Sequence, residues 1–143
     1  MSGIVLVITG GRNGRDAGLV NRALTAVHRK HGIRLLVQGE AAGFDRLCKD
    51  WARSHGIPTA DEPADWDDVD RPGAVVRKRR DGKLYDAAAG GARNQRMIDK
   101  HKPDAGVAFP GGSGTADMVR RMKRANIRVW DLTETAPPAT PLP

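Results

Sequence analysis

An unbroken apolar block, Ile4-Val5-Leu6-Val7-Ile8, runs directly into Gly10-Gly11-Arg12-Asn13-Gly14. Neither half of such a strand faces water, so the block reads as a strand covered on both faces, as in a parallel sheet. The glycines end it and leave the chain free to turn into a helix. Val20, Ala23, Leu24 and Val27 follow at i, i+3, i+4 and i+7, one apolar face of that helix, and Gly32 stands where it should stop. The cycle then recurs. Ile33 to Val37 is a second strand, Gly39 to Gly43 a loop, and Leu47, Cys48, Trp51 and Ala52 a second helical stripe ending at Gly56. A weaker strand is expected near Ile57 and a helix from about Asn94 to Lys100. A strand from Ala105 to Phe109, the loop Pro110 to Gly114, a helix carrying Met118, Val119 and Met122, and a strand from Ile127 to Trp130 complete the pattern. Alternating strands and helices predict an α/β fold. The form expected is a Rossmann-like, doubly wound parallel sheet of about five strands in the order 3-2-1-4-5.

The 143 residues fit a single domain, expected over residues 1–132, and a chain of this size buries enough apolar surface to fold without metal or disulfide. One cysteine excludes an intramolecular disulfide and any multi-cysteine metal centre, and His28, His31, His55 and His101 are spread along the chain. No metal or cofactor is expected. The apolar block is too short for a membrane span or a signal-peptide core, so the expected setting is cytoplasmic, without membrane partners. Two segments break the rhythm. Residues 67–90 form a long polar insertion holding Arg77-Lys78-Arg79-Arg80 and Lys83, read either as a solvated loop or as a basic lid or nucleic-acid contact. Residues 133–143, with Pro137, Pro138, Pro141 and Pro143, read as a disordered tail. A formal net charge of +7 favours anionic partners such as phosphates, nucleotides or nucleic acid.

In a doubly wound sheet, ligands lie beyond the carboxyl ends of the strands where strand order reverses. The expected order puts the loops after the first and fourth main strands there. These are Gly10-Gly11-Arg12 with its following residues, and Pro110-Gly111-Gly112-Ser113-Gly114-Thr115. Glycines let backbone amides approach an anion, and each loop leads into a helix N-terminus, where the dipole favours negative charge. Other nucleotide signatures are absent: no Gly-Lys-Ser/Thr triplet occurs, and Asp117 replaces the third glycine of the motif begun by Gly112 and Gly114. Arg12 and Arg93 are the candidates to neutralise phosphate, with Asn94 beside Arg93 at the expected start of its helix. Glu40, Asp45 and Asp117 are the acids expected near the crevice: Glu40 beside Gly39 in the second glycine-bounded loop, Asp45 opening the second helix and Asp117 in the first turn of the last main helix.

These residues resemble the SLOG superfamily. The group joins the LOG phosphoribohydrolases, DprA and the YpsA/YspA proteins, and the likeness is to its small YspA-type bacterial and phage branch. The resemblance is carried by Gly10-Gly11-Arg12, Gly39, Gly43-Phe44-Asp45-Arg46-Leu47, Trp51-Ala52, Ala64-Asp65-Trp66, Gly91-Ala92-Arg93-Asn94 with Met97, and Ala108 through Thr115. It implies a Rossmann-like sheet, a nucleotide-derived ligand with phosphate on the Pro110–Thr115 loop, and a homo-oligomer. In the LOG enzymes an arginine and a glutamate support cleavage of a nucleoside monophosphate. The arginine matches Arg93; the glutamate's position is Met118, with Asp117 one residue before it.

Three functions compete at this point. The first is binding of a nucleotide or nucleotide-derived molecule by a sensor, carrier or sequestering protein. The second is N-glycosidic cleavage of a nucleoside 5′-monophosphate, with Arg93 and either Asp117 or Asp45 as catalytic groups. Such cleavage builds oxocarbenium-like charge on the ribose and needs a carboxylate beside it. The third is DprA-like binding of single-stranded DNA, for which the stacking surfaces are few, since aromatics make up 4% of residues.

Overall fold

The computed structural model describes residues 2–133, so the proline-rich tail beyond them lies outside the described residues. Five parallel strands form the main sheet: β1 (Ile4–Thr9), β2 (Ile33–Gln38), β3 (Thr59–Asp61), β6 (Ala105–Ala108) and β7 (Arg128–Asp131). Their order is β3-β2-β1-β6-β7, which is 3-2-1-4-5 when only the main strands are counted. The reversal lies between β1 and β6, which pair Leu6 with Ala105 through Thr9 with Ala108. Helices α1 (Ala17–His31) and α2 (Phe44–Ser54) pack together, as do α3 (Ala89–His101) and α4 (Ser113–Arg124).

The strand period decides which layer each side chain joins. Leu6 and Ile8 point into a core with Val20, Leu24, Phe44, Cys48 and Trp51, the layer of α1 and α2. Val5 and Val7 point the other way, against Met97, Met118 and Met122 of α3 and α4. Thus the opening apolar block is buried on both faces because alternate residues serve two separate cores. Gly106 allows α4 to lie close on β6, since a Cβ there would come within 2.4 Å of the Met122 sulfur.

Differences from the sequence expectation lie between β3 and α3. The weak strand begins at Thr59, just beyond Ile57, which is buried as a core residue ahead of it. The insertion contains an antiparallel hairpin, β4 (Val76–Lys78) and β5 (Leu84–Asp86), which periodicity over three-residue strands was too short to reveal. Its root is organised by Asp86. This fully buried carboxylate accepts hydrogen bonds from the Val75 and Ala88 amides at 2.9 Å each and forms an ion pair with Arg71. Helix α3 begins at Ala89, five residues before the expected start, so Arg93 and Asn94 sit in its second turn. Among the described residues, no helix is long and apolar enough to cross a membrane.

Candidate functional site

The loops after β1 and β6 meet. The Gly11 amide donates to the Pro110 carbonyl at 2.9 Å, and the α2 loop joins them through the Phe44 amide, which donates to the Gly11 carbonyl at 3.2 Å. Beneath the first loop, the rings of Phe44 and Phe109 stack with centroids 5.0 Å apart. This stack explains two of the glycines by packing: a Cβ on Gly10 or Gly14 would lie within 2.6 Å or 2.2 Å of Phe44. Gly11 and Gly111 serve the junction itself, because a Cβ on either would press on the opposite loop.

Gly112 and Gly114 have no such reason. A Cβ on either would meet nothing within 4 Å, and both are exposed. They border a cleft of about 710 Å³ at the carboxyl edge of the sheet, within the range of small-molecule sites. Gly112 caps α4 with no side-chain hydrogen bond, and the first turn carries no acid. The amides of Ser113, Gly114 and Thr115 donate to no acceptor among the described residues. Helix α3 opens on the same cleft through Ala88, Gly90 and Gly91, also without a side-chain cap or an acid in its first turn. In contrast, the N-terminus of α1 is closed by its own cap, Asp16, which accepts from the Leu19 amide at 3.0 Å. Two uncapped helix starts therefore present amide donors and positive dipole ends to one hollow.

Arginines wall this hollow. Arg12, Arg93, Arg120 and Arg121 all line it, together with Asp45 and Asp117. Arg12 lies over the Trp66 ring, 5.2 Å from its centroid, and Trp66 in turn sits against the bare face of Gly90. Arg93 donates to the Gly39 carbonyl and, through Nε, to Asn94 Oδ1 at 3.1 Å. Burial lowers its pKa and Asp45 offsets part of this; a guanidinium is charged throughout the ordinary pH range. Asn94 is buried and passes the network on, donating to the Gly114 carbonyl at 3.2 Å and to Asp117 at 3.0 Å. Asp117 is further held by Arg121 Nε at 2.8 Å. Burial would raise the Asp117 pKa, but the bonds from Arg121 and Asn94 outweigh it and hold the carboxyl below its ordinary value.

Asp45 differs. It is 5% exposed, and its Oδ2 accepts from the Gly39 amide at 3.1 Å and the Ala41 amide at 3.2 Å. Its Oδ1 receives no hydrogen bond among the described residues, and the side chain lines the cleft. Burial raises its pKa to about 6, against the opposing pull of the two amides and Arg93.

Eleven of the residues singled out from sequence border the cleft: Gly10, Gly11, Arg12, Asp45, Arg93, Asn94, Gly112, Ser113, Gly114, Thr115 and Asp117. Four do not. Pro110 and Gly111 make the loop junction, and Gly39 lies under the Arg93 guanidinium. Glu40 turns away, with positive φ of 57°, to pair with Lys49 at 2.7 Å and accept from Gln38 at 2.8 Å. Met118, at the position of the LOG glutamate, is fully buried in the core. Sequence reasoning gave no site role to Trp66, Arg120 and Arg121, although the last two follow Asp117 at i+3 and i+4 and so share its face. It also missed Glu62. That buried carboxylate binds Lys100 at 2.7 Å, His101 at 2.8 Å and Arg96 at 3.2 Å, and fastens α3 to the end of β3.

Comparison with known proteins bears on this geometry. Residues 4–68 match the model of the YAcAr family, described as YspA, cpYpsA-related SLOG family. The SLOG resemblance carried by the sequence motifs therefore holds. Among solved structures, DNA processing protein A (DprA) from Streptococcus pneumoniae superposes with a TM-score of 0.61 at 18% identity, covering 88% of this chain and 49% of that one. MurG of Acinetobacter baumannii superposes with a TM-score of 0.52 at 13% identity, covering 89% of this chain and 34% of that one. This chain thus spans about half the DprA chain, and both likenesses are of fold. No curated protein matches the sequence.

Proposed function

We propose that this SLOG-like chain binds a nucleotide or nucleotide-derived ligand in the cleft between the β1 and β6 loops. The phosphate would lie on the open amides of Ser113, Gly114 and Thr115, with Arg93 and Arg12 supplying positive charge. The free oxygen of Asp45 would accept from a ribose hydroxyl. One observation carries the reading: Gly112 and Gly114 lack any packing reason to be glycine, yet they border an arginine-walled cleft over uncapped amides. An anion is the partner such a surface fits. Both the SLOG match and the DprA-like fold support a nucleotide- or nucleic-acid-related role.

Calorimetric titration with nucleoside mono- and diphosphates, ADP-ribose and cyclic nucleotides tests this. Binding of at least one, weakened tenfold or more by Gly112→Asp, is expected. Heat from none of them, with wild type and Gly112→Asp indistinguishable, would overturn the reading.

A second reading, N-glycosidic hydrolysis, draws on a single feature. Asp45 is a cleft carboxylate that keeps an oxygen free of protein donors, whereas Asp117 is tied to Arg121 and Asn94. This reading expects free base from a nucleoside monophosphate, lost in Asp45→Asn and Arg93→Ala. Chromatography finding only intact nucleotide after long incubation would remove it.

A further inference from the structure

The hairpin β4–β5 joins the main body beside the cleft. Asp86, the last residue of β5, donates its amide to the Trp66 carbonyl at 2.7 Å, and Ala87 and Ala88, next in sequence, line the cleft wall. Between residues 77 and 85 the hairpin carries Arg77, Lys78, Arg79, Arg80 and Lys83 against one acid, Asp81. All five cations are exposed, and none joins an ion pair among the described residues.

Register sorts these residues onto faces. Arg77 pairs with Tyr85, and Arg79 donates its amide to the Lys83 carbonyl at 2.8 Å, so these four share one face. The Arg79 guanidinium lies 5.1 Å from the Tyr85 ring centroid. One side of a ribbon about 10 Å long thus offers three unpaired cations around an aromatic plane. Concentrating like charge in this way opposes folding, and no ion pair among the described residues relieves it. The hairpin is nonetheless held firmly at its root by buried Asp86.

We propose that this ribbon docks the phosphodiester backbone of a single-stranded nucleic acid whose terminal nucleotide enters the cleft. The inference rests on the nucleotide reading above and narrows its ligand from a free nucleotide to a chain end. Arginine forks match phosphodiester oxygens, and the Tyr85 plane offers a base a surface to stack on. The ribbon's length accommodates two or three backbone phosphates. The cleft beside it supplies the site for the end.

Fluorescence anisotropy with a 5′- and a 3′-phosphorylated eight-nucleotide DNA, set beside calorimetry with the matching mononucleotide, tests the proposal. At least one oligonucleotide is expected to bind tenfold or more tighter than the mononucleotide. Its log Kd against log salt should carry an added slope of about 2, from roughly three phosphates at 0.7 ions each. The triple variant Arg77→Ser, Arg79→Ser, Lys83→Ser should abolish that advantage while leaving mononucleotide affinity unchanged. Gly112→Asp should weaken both ligands.

Mononucleotide binding with no oligonucleotide gain would overturn the inference and leave the nucleotide reading standing. Binding of neither would remove both. Oligonucleotide binding untouched by Gly112→Asp would overturn entry of the chain end into the cleft. Equal binding of the hairpin to vesicles of anionic phospholipid, lost in the same triple variant, would replace nucleic acid with a membrane surface.

Discussion

Asp45 carries the unusual free energy of this site. Its carboxyl pKa, about 6 when folded, exceeds the ordinary 3.8 chiefly because burial disfavours the charge. A raised carboxyl pKa means that the folded state holds more protons than the unfolded state between these values. Its contribution to stability is therefore fully present below about pH 4 and is lost as pH rises through 6, on the order of 3 kcal/mol across that window. Denaturation midpoints for wild type and Asp45→Asn between pH 4 and 7 should diverge with this sign; parallel curves would show an unperturbed group. Glu62 works oppositely. Bonding to Lys100 first, with His101 and Arg96, depresses its pKa to about 2, so its contribution is present above 4.5 and is lost as pH falls toward 2. The glycines separate packing from the proposed binding role at the same scale. Gly14→Ala should cost roughly 1–3 kcal/mol, because the added methyl collides with Phe44. Gly114→Ala should be neutral or stabilising by about 0.5–1 kcal/mol in its helix while weakening nucleotide binding. Urea denaturation beside calorimetry distinguishes the two.

Helices α3 and α4 are the elements that make the cleft, and both begin with small residues. Gly90 and Gly91 leave room for Trp66 on one side and Arg121 on the other, as Gly112 and Gly114 leave room above α4. Asn94 ties these two starts together through Gly114 and Asp117. Replacing Asn94 by Leu would leave the Gly114 carbonyl and Arg93 Nε without their partner and take one donor from Asp117, which keeps Arg121, a loss of about 1–3 kcal/mol that denaturant titration would read. The hairpin root gathers three partners on one carboxylate, beside the backbone bonds from Asp86 to Trp66 and from Ala87 to Val75. In Asp86→Ala the Val75 and Ala88 amides and Arg71 lose their acceptor, so trypsin should cut between Arg77 and Lys83 several times faster than in wild type. An unchanged cleavage rate would show that other contacts hold the hairpin.

Across the whole molecule, the sheet divides two cores that share β1. Leu6 belongs to the α1–α2 core and Val7 to the α3–α4 core, and both are fully buried. Leu6→Ala should cost about 2–5 kcal/mol, with one cooperative transition by circular dichroism and tryptophan fluorescence. Separate transitions would show that the two layers unfold independently. All the loops that build the cleft leave the carboxyl edge of this one sheet. The strand order therefore does more than stack helices: it places β1 beside β6 and so brings together loops about a hundred positions apart.

The apolar blocks, their glycine punctuation and the helical stripes were enough to set the main element types and the parallel sheet, and the order expected of a doubly wound sheet, 3-2-1-4-5, is the one observed. Burial follows periods of 2 and 3.6 that are written locally in the chain. The hairpin was hidden because three-residue strands carry no periodicity, and its root is gathered by Asp86, whose partners lie across the insertion. Glu40 and Asp45, on either side of the start of α2, show the same limit. Both are acids five residues apart, yet tertiary packing turns one toward Lys49 and buries the other beneath Arg93. Sequence alone determined which segments reach the carboxyl edge of the sheet. Which side chains face the cleft, and with what charge, was decided only by contacts between distant segments, because burial and ion pairing depend on neighbours that local spacing does not specify.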